Sequence, residues 1–349
     1  MSVLVTGAAG FIGFHVASRL AERGEAVIGI DNLNEYYSVG LKKARLERLE
    51  RDPNFIFHKV DIADRGGIAE VFARYGDITR IVHLAAQAGV RYSLQNPYAY
   101  IDSNIMGQVV LLEAARRLPR LDRFVYASSS SVYGSNQKQP FSIEDRVDTP
   151  VSLYAATKRS CELITHSYCH LYGLPAVGLR FFTVYGPWGR PDMAAYLFTD
   201  AIMAGRPIEV YNEGHMARDF SYIDDIAIGT IAAVERPLAF GENALPHRVY
   251  NLGNHRPEKL TDFIAVLERA IGRKADIKLL PDAAGRRAGD VRRHRIVPSR
   301  SRFRSEDRNC GGRASLRRLV QRISWDRLTS RSAEDPRLGS TRSYAPALF

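Results

Sequence analysis

Short runs of β-branched and other apolar residues alternate along this chain with longer amphipathic stretches. The short runs predict strands at Val3–Thr6, Ala26–Asp31, Phe55–Val60, Ile81–Ala85, Arg123–Ser128, Ala176–Phe181 and Val249–Leu252. The longer stretches predict helices between them, among which are Gly13–Glu22, Val109–Arg117, Leu153–Leu171 and Thr261–Gly272. Strands that alternate with helices are typical of an α/β fold with a doubly wound parallel sheet.

The same alternation divides the chain into parts. Its 349 residues are enough for one large domain or two smaller ones. We expect residues 1–180 to form a Rossmann-type main domain, which the later strand at 249–252 rejoins. Residues 181–281 are expected to form mainly a smaller α/β lobe, because the stretch 186–241 breaks the strand–helix rhythm.

A glycine-rich turn follows the first predicted strand and opens the first helix. Gly7, Gly10 and Gly13 let a pyrophosphate approach the backbone, and the amino end of the helix attracts its charge. Their spacing differs from the G-x-G-x-x-G fingerprint, so a tight strand–helix turn without a ligand is the alternative. Their position directly after the first strand favours a nucleotide site.

Asp31 ends the second predicted strand, 18 residues after Gly13, where a carboxylate accepts hydrogen bonds from the adenosine ribose of a dinucleotide. It would repel a 2′-phosphate, and positions 32–34 hold no Arg or Lys to attract one. We therefore predict NAD rather than NADP. A role as helix cap or turn residue is the alternative for Asp31. Asp61, after the third strand, is a candidate adenine contact.

Tyr154 and Lys158 are four residues apart and lie on one face of a predicted helix. A lysine ammonium beside a phenol stabilises the phenolate, which makes the tyrosine a candidate general acid and base for a hydroxyl group. Taken alone, such a pair is more often a helix surface pair. The nucleotide signals and the serine run 128–131 just upstream favour the catalytic interpretation.

Charge is distributed unevenly. Residues 1–281 hold 32 Lys and Arg against 31 Asp and Glu, whereas residues 282–349 hold 17 Arg, no Lys and 7 acids. The net charge of +11 therefore does not make the body of the chain a nucleic-acid binder. We see no membrane span, signal peptide or metal constellation, and Cys161, Cys169 and Cys310 lack disulfide spacing. We expect a cytoplasmic protein without nucleic-acid or membrane partners.

With these residues assembled, the chain resembles the NAD-dependent epimerase/dehydratase family of extended short-chain dehydrogenases/reductases, and within it the UDP-glucuronate 4-epimerases. The motifs that carry the resemblance are 29–34, 84–93, 128–134, 150–158, 180–193 and 218–225. The resemblance implies an isomerase that binds NAD and a UDP-sugar, with the UDP-sugar in the smaller lobe. It also implies a homodimer. The alternatives are another UDP-hexose 4-epimerase, a non-catalytic NAD-binding protein, and an NAD-binding product whose catalysis is impaired by the altered C-terminus.

The resemblance also assigns roles. Tyr154 would take the proton from the sugar O4, Lys158 would support it and bind the nicotinamide ribose, and Ser129 would hydrogen-bond O4. Implied cofactor contacts are Gly7, Gly10, Phe11, Ile12, Gly13, Asp31, Asn32, Asp61, Ile62, Leu84, Ala85, Ala86, Tyr154 and Lys158. Implied substrate contacts are Arg91, Ser129, Ser130, Ser131, Thr183, Arg190 and Arg218.

Two details narrow the chemistry. Ser130 and Ser131 occupy positions where related 4,6-dehydratases usually place Asp-Glu, so a proton donor for water loss is missing. Arg190 is a candidate for binding a substrate carboxylate, because a guanidinium matches a carboxylate bidentately. The alternatives are a surface or phosphate-contacting role for Arg190, and a local ion pair with Asp219 for Arg218.

Beyond Pro281 the chain departs from the family. Relatives continue with Met-Gln-Pro-Gly-Asp-Val-Pro, and codons exist for 282–294 whose next reading frame encodes such a segment. The same shift gives family-like segments over 302–313 and 319–324. This implies a frameshift at Pro281, a poorly ordered tail over 282–349 and impaired UDP-sugar binding. A genuine basic tail that binds acidic partners is the alternative.

Overall fold

The computed structural model describes residues 1–138, 140–237, 244–254 and 257–280. The predictions for residues 282–349 lie outside the described residues. Within the described part, no helix is long and apolar enough to cross a membrane.

The described residues contain twelve strands and ten α-helices. The strands are β1 Ser2–Thr6, β2 Ala26–Asp31, β3 Phe55–Lys59, β4 Ile78–His83, β5 Arg123–Ser129, β6 Ala176–Phe181, β7 Thr183–Tyr185, β8 Ile208–Tyr211, β9 Ala217–Tyr222, β10 His247–Leu252, β11 Pro257–Lys259 and β12 Ile277–Leu280. The helices are α1 Phe11–Glu22, α2 Val39–Leu49, α3 Arg65–Arg74, α4 Tyr92–Gln95, α5 Pro97–Tyr100, α6 Gly107–Ala115, α7 Leu153–Tyr172, α8 Ala194–Ala204, α9 Ile223–Glu235 and α10 Leu260–Ile271.

Seven strands form one sheet in the order β10-β6-β5-β4-β1-β2-β3, and every neighbouring pair is parallel. This order, with crossover helices between consecutive strands, is the doubly wound Rossmann-type sheet that the alternating pattern predicts, and the predicted fold class is confirmed. Because the strands are parallel, their carboxyl ends meet at one edge, where such folds bind ligands.

Burial explains why the strands read as continuous apolar runs. Every residue of β1 and of β6 is buried, as expected for central parallel strands that are covered on both faces. Leu4, Ile81 and Phe124 are fully buried in one cluster with residues from the flanking helices. Removing a side chain of this size from water contributes roughly 1.5–3 kcal/mol.

Several boundaries differ from the sequence predictions by one to three residues, and two differences bear on the site. β4 begins at Ile78, three residues earlier than predicted, and ends at His83, so residues 84–86 follow the strand instead of ending it. A π-helical segment, Ile101–Met106, precedes α6 and lies outside the predicted helix at 109–117. A π-helix forms by a change in hydrogen-bond spacing that an apolar period of 3.6 does not reveal.

The chain separates into two compact units. One contains Met1–Val184 and Ser221–Gly253, and therefore the whole seven-stranded sheet. The other contains Tyr185–Phe220 and the described residues from Asn254 onward. Its core includes Phe220 and Phe263, whose rings stack at 4.3 Å, and its strands β12 and β8 pair in parallel. β11, β9 and β7 form a three-stranded sheet in that order.

Candidate active site

The glycine-rich turn is held between two strands of the sheet. Gly7 has φ +71°, and its N–H donates to the carbonyl of Ile30 at 2.8 Å. A Cβ at Gly7 would lie 2.8 Å from the Ala85 nitrogen, and one at Gly13 would lie 2.0 Å from the Gly7 oxygen. Both positions therefore require glycine.

The first turn of α1 fits a phosphate group. Its cap residue, Gly10, supplies no side-chain hydrogen bond to the helix. Phe11, Ile12 and Gly13 form the turn that follows, where backbone N–H groups and the helix dipole favour an anion. The glycines are required by backbone packing, and the backbone N–H groups of this turn are what would bind the pyrophosphate of NAD.

Thr6 connects the glycine-rich turn to the segment after β4. Its hydroxyl accepts hydrogen bonds from the backbone N–H of Leu84 at 3.1 Å and of Ala85 at 3.0 Å. It also hydrogen-bonds His83 Nδ1 at 2.7 Å. Burial lowers the pKa of His83 to about 3, and the charge of Lys158 adds to the effect. His83 is thus a buried, neutral packing residue.

Asp31 lies at the carboxyl end of β2 and is 8% exposed. Its Oδ1 accepts the Leu33 N–H at 2.8 Å, and burial raises the carboxyl pKa while nearby Lys42 and Arg45 oppose that change. An acceptor that is buried yet held beside the glycine-rich turn fits the ribose hydroxyls of NAD. Arg45, whose charge acts on Asp31, donates to the Ala9 carbonyl of the turn at 2.8 Å.

Asn32 and Asp61 contact each other at the ends of β2 and β3. The Asn32 Nδ2 donates to Asp61 Oδ2 at 2.7 Å, and Asp61 Oδ1 accepts from the Ala63 N–H at 2.8 Å. Ile62 beside them is buried in the core. The structure therefore brings the predicted residues after β1, β2, β3 and β4 to the same edge of the sheet, including Ala86 in the segment after β4.

Helix α7 carries the predicted acid/base pair near its first turns. Ser152 caps the helix by accepting the Ala155 N–H at 3.1 Å, which fixes where the helix begins. Tyr154 is half-buried and contacts the Tyr100 ring edge-on at 6.1 Å. Lys158 is 4% exposed, and its Nζ donates to the Ala127 carbonyl of β5 at 2.9 Å.

The predicted serines form a sharp turn after β5. Ser129 ends the strand and its Oγ accepts the Ser131 N–H at 3.2 Å, which starts a one-turn 3₁₀ helix over Ser130–Tyr133. The Ser131 hydroxyl is buried and makes no hydrogen bond within the described residues. A buried hydroxyl without a partner is costly in an empty site and suits one that a polar ligand completes.

Asn104 is a site residue that the sequence patterns missed. It lies in the π-helical segment, where its side chain exchanges two hydrogen bonds with the Gln87 backbone, at 2.8 and 3.1 Å. It also donates to Thr157 Oγ1 at 3.0 Å, and Thr157 in turn donates to the Tyr154 carbonyl at 2.9 Å. The only sequence signal is a polar residue inside an amphipathic stretch.

The remaining predicted substrate residues divide between the units. Arg91 precedes α4 and Thr183 begins β7, both in the unit that contains the large sheet, and both are half-buried. Arg190 and Arg218 belong to the other unit. Arg190 makes a bidentate pair with Asp192, at 2.9 Å from Nε and 2.6 Å from Nη2. Arg218 is exposed on β9, opposite Glu258 of β11.

Among the residues that the structure describes, no group of His, Cys, Asp and Glu side chains could hold a metal ion. A doubly wound parallel sheet with a glycine-rich turn after its first strand, a carboxylate at the end of its second strand and a Tyr–Lys pair on one helix is typical of Rossmann-type dehydrogenases/reductases.

Comparisons with known proteins show which family of Rossmann-type dehydrogenases/reductases this chain resembles. Residues 3–253 match the NAD dependent epimerase/dehydratase family. UDP-glucuronate 4-epimerase 3 of Arabidopsis thaliana is 50% identical over 301 residues, which cover 83% of this chain and 68% of that protein.

Two crystal structures share the fold. UDP-glucuronic acid 4-epimerase from Bacillus cereus, solved with UDP-glucuronic acid and NAD, has a TM-score of 0.73 and 36% identity over 82% of this chain and 88% of that one. UDP-glucose 4-epimerase from Thermotoga maritima, solved with UDP-glucose, has a TM-score of 0.77 and 27% identity over 95% and 100% of the two chains.

The chain belongs to the NAD-dependent epimerase/dehydratase family. It is an NAD-dependent epimerase, and therefore an isomerase. The family resemblance and the cofactor predicted from the sequence are both confirmed.

Proposed function

We propose that this chain interconverts UDP-glucuronate and UDP-galacturonate by inverting C4 of the sugar. Arg190 is the candidate for holding an acidic sugar: its guanidinium makes two parallel hydrogen bonds to the carboxylate of Asp192, which a substrate carboxylate would have to replace. This is the geometry in which a guanidinium recognises a uronic acid. Relatives that are named UDP-glucuronate 4-epimerases support the same substrate.

The acid/base work falls to Tyr154. Bound NAD supplies the hydride acceptor and then the hydride donor at C4. Tyr154 takes the proton from O4 as C4 becomes a ketone and returns it when C4 is reduced on its other face. Lys158, fixed on the Ala127 carbonyl, stabilises the phenolate, and Ser129 hydrogen-bonds O4.

The serine turn accounts for the choice of epimerisation over dehydration. Water loss needs a proton donor, such as a carboxylic acid, for the leaving hydroxyl. Ser130 and Ser131 carry no carboxylic acid that could act as this donor. Arg190 has a second role in this proposal. A 4-keto uronate is a β-keto acid that loses CO₂ when its carboxylate aligns with the carbonyl π system, and a carboxylate held bidentately is kept out of that alignment.

The other roles follow the same proposal. Arg91, Ser131 and Thr183 contact the substrate, and Arg218 contacts its diphosphate. Residues 1–180 with the strand at 249–252 bind NAD, and residues 181–281 mainly bind the UDP-sugar. If the reading frame shifts at Pro281, this chain binds UDP-sugar weakly, and the gene sequence around codon 281 decides that point.

We further propose a cytoplasmic homodimer formed through helices. Apolar side chains exposed on the π-helical segment and on α7 support this interface: Ile101 is 44% exposed, Leu163 54% and Leu171 65%. Sedimentation analysis of the wild type and of Leu163→Glu tests it. A monomeric wild type contradicts the proposal.

The test of function is incubation with UDP-glucuronate and NAD⁺, followed by chromatographic analysis for UDP-galacturonate. Tyr154→Phe is the control, because it removes the acid/base group and leaves the ring packed against Tyr100. We expect product from the wild type, and from Tyr154→Phe at least about 10²-fold less with NAD still bound. Turnover of UDP-glucose in preference to UDP-glucuronate would instead favour a neutral-sugar epimerase.

A further inference from the structure

Helix α7 carries a third functional group on the face that holds Tyr154 and Lys158. Glu162 follows Lys158 by four residues and is 1% exposed. Its Oε1 accepts a hydrogen bond from Ser128 Oγ at 2.6 Å. α7 is therefore tied to the end of β5 at two successive residues, through Lys158 to Ala127 and through Glu162 to Ser128.

Arg180 of β6 completes the attachment. It is 3% exposed and lies opposite Ser128 in the sheet register. Its Nε and Nη2 donate to the two oxygens of Glu162 at 2.8 and 2.9 Å, and its Nη1 donates to Tyr133 Oη at 3.0 Å. Arg180 thus connects helix α7 to the 3₁₀ turn that ends at Tyr133.

Tyr133 is itself held firmly. Its hydroxyl donates to Asn251 Oδ1 at 2.6 Å, and its ring stacks on Phe141 at 4.3 Å. Ser128 and Tyr133 are the residues on either side of Ser129–Val132, and both are bound to the same ion pair. The ends of the serine turn are consequently fixed by two charged side chains that do not belong to it.

Stability alone is a weak reason for burying these charges. A buried ion pair repays its desolvation only with good geometry, and a matched apolar pair is often as stable. Hydrogen bonds from Arg180, Ser128 and Arg159 lower the pKa of Glu162 in spite of burial, so the carboxylate stays charged. Fixed charges with directional bonds specify position better than apolar contacts do.

We propose that the Glu162–Arg180 pair positions the serine turn relative to Tyr154 and Lys158 for epimerisation. The pair acts through Ser128 and Tyr133 and contacts no reacting atom. The kinetic part of this proposal rests on the proposed function. A misplacement of catalytic groups by about 1 Å can cost on the order of 10² in rate.

The experiment compares Glu162→Gln, Arg180→Met and the charge-free double variant Glu162→Leu/Arg180→Met in the full-length holoenzyme. The matched control is Glu25→Gln/Arg80→Met. It removes the bidentate pair between Glu25, which directly precedes β2, and Arg80 of β4, whose two N–O distances are 2.6 and 3.3 Å. The readouts are kcat and KM for UDP-glucuronate, NAD content, thermal midpoint, and hydrogen–deuterium exchange of the peptide 128–134.

We expect kcat to fall by about 10²-fold in the pair variants, with KM and NAD content within about 3-fold and faster exchange at 128–134. The double variant should keep the fold and still lose kcat. The control variant should have a lower thermal midpoint, with kcat and the exchange at 128–134 unchanged. Wild-type kcat in the double variant, or an equal kcat loss in the control, would overturn the proposal.

Failure of the proposed function gives a separate result. If the wild type does not convert UDP-glucuronate, the substrate assignment is wrong, and the exchange measurement with NAD alone still decides the positioning role. Faster exchange confined to 128–134 in the pair variants supports it, whereas unchanged exchange there refutes it.

Discussion

Replacing Gly13 by Ala sets two physical effects against each other. Gly13 lies in the first turn of α1, and in a helix Ala is normally favoured over Gly by about 0.5–1 kcal/mol. The added Cβ would however lie 2.0 Å from the Gly7 carbonyl oxygen and 2.7 Å from its carbon. The atoms it meets are backbone, which cannot rotate away as the end of a flexible side chain can.

The expected magnitude follows from that overlap. Relief to an ordinary contact requires the turn and the helix to separate by about 1 Å, and overpacking of this kind costs about 1–3 kcal/mol. After subtracting the helix preference, we expect a net loss of about 1–2 kcal/mol in the free energy of unfolding. The Gly7 oxygen also accepts the Gly10 N–H at 2.8 Å, so the phosphate-binding turn moves as a unit.

The assay combines urea unfolding with NAD titration. A turn displaced by about 1 Å should weaken NAD binding at least about tenfold. Gly76→Ala is the matched control, because a Cβ there meets nothing within 4 Å. A Gly13→Ala variant that is as stable as the wild type and binds NAD equally well would refute the reasoning.

Two further changes test the buried titratable residues His83 and Asp31. Burial lowers the pKa of His83 to about 3, from the usual value of about 6.5 for histidine. Stability is therefore lost as pH falls through this interval, by about 2 kcal/mol between pH 6.5 and 5, and urea unfolding of His83→Asn should show a pH slope smaller by up to one proton. An unchanged slope would contradict this. Asp31→Asn should weaken NAD binding about tenfold and reduce the preference over NADP, as measured by the two dissociation constants; an unaltered preference would remove Asp31 from the ribose site.

The fold could be predicted because its signal is local. Strands covered on both faces are mostly apolar, and β1, β2 and β6 match the predicted runs to within one residue. The π-helical segment could not be predicted, because apolar spacing there is compatible with an ordinary helix. Asn104 was missed because its partners Gln87 and Thr157 are 17 and 53 residues away in the sequence.

The site was predictable only where a motif requires a residue type. Gly7 and Gly13 are such residues, because backbone atoms occupy the space of a side chain. The buried cations were not, because Lys42 and Arg45 lie on an amphipathic helix where surface exposure is the usual outcome. Their burial depends on distant partners, such as the Ala9 carbonyl 36 residues from Arg45.

At the carboxyl ends of β5 and β6, the partner that Glu162 pairs with determines whether the charge of Lys158 is neutralised. Glu162 is close enough in sequence to neutralise Lys158, but its two oxygens are bonded to Arg180, Arg159 and Ser128. Within the described structure Lys158 instead donates to a carbonyl, which orients the ammonium without cancelling its charge. The pKa of His83 is lowered mainly by burial, and the charge of Lys158 contributes in the same direction. Removing Arg180 would therefore free Glu162 to compete for Lys158. Under the proposed function, the Glu162–Arg180 pair would thus also preserve the positive charge that a Tyr154 phenolate requires.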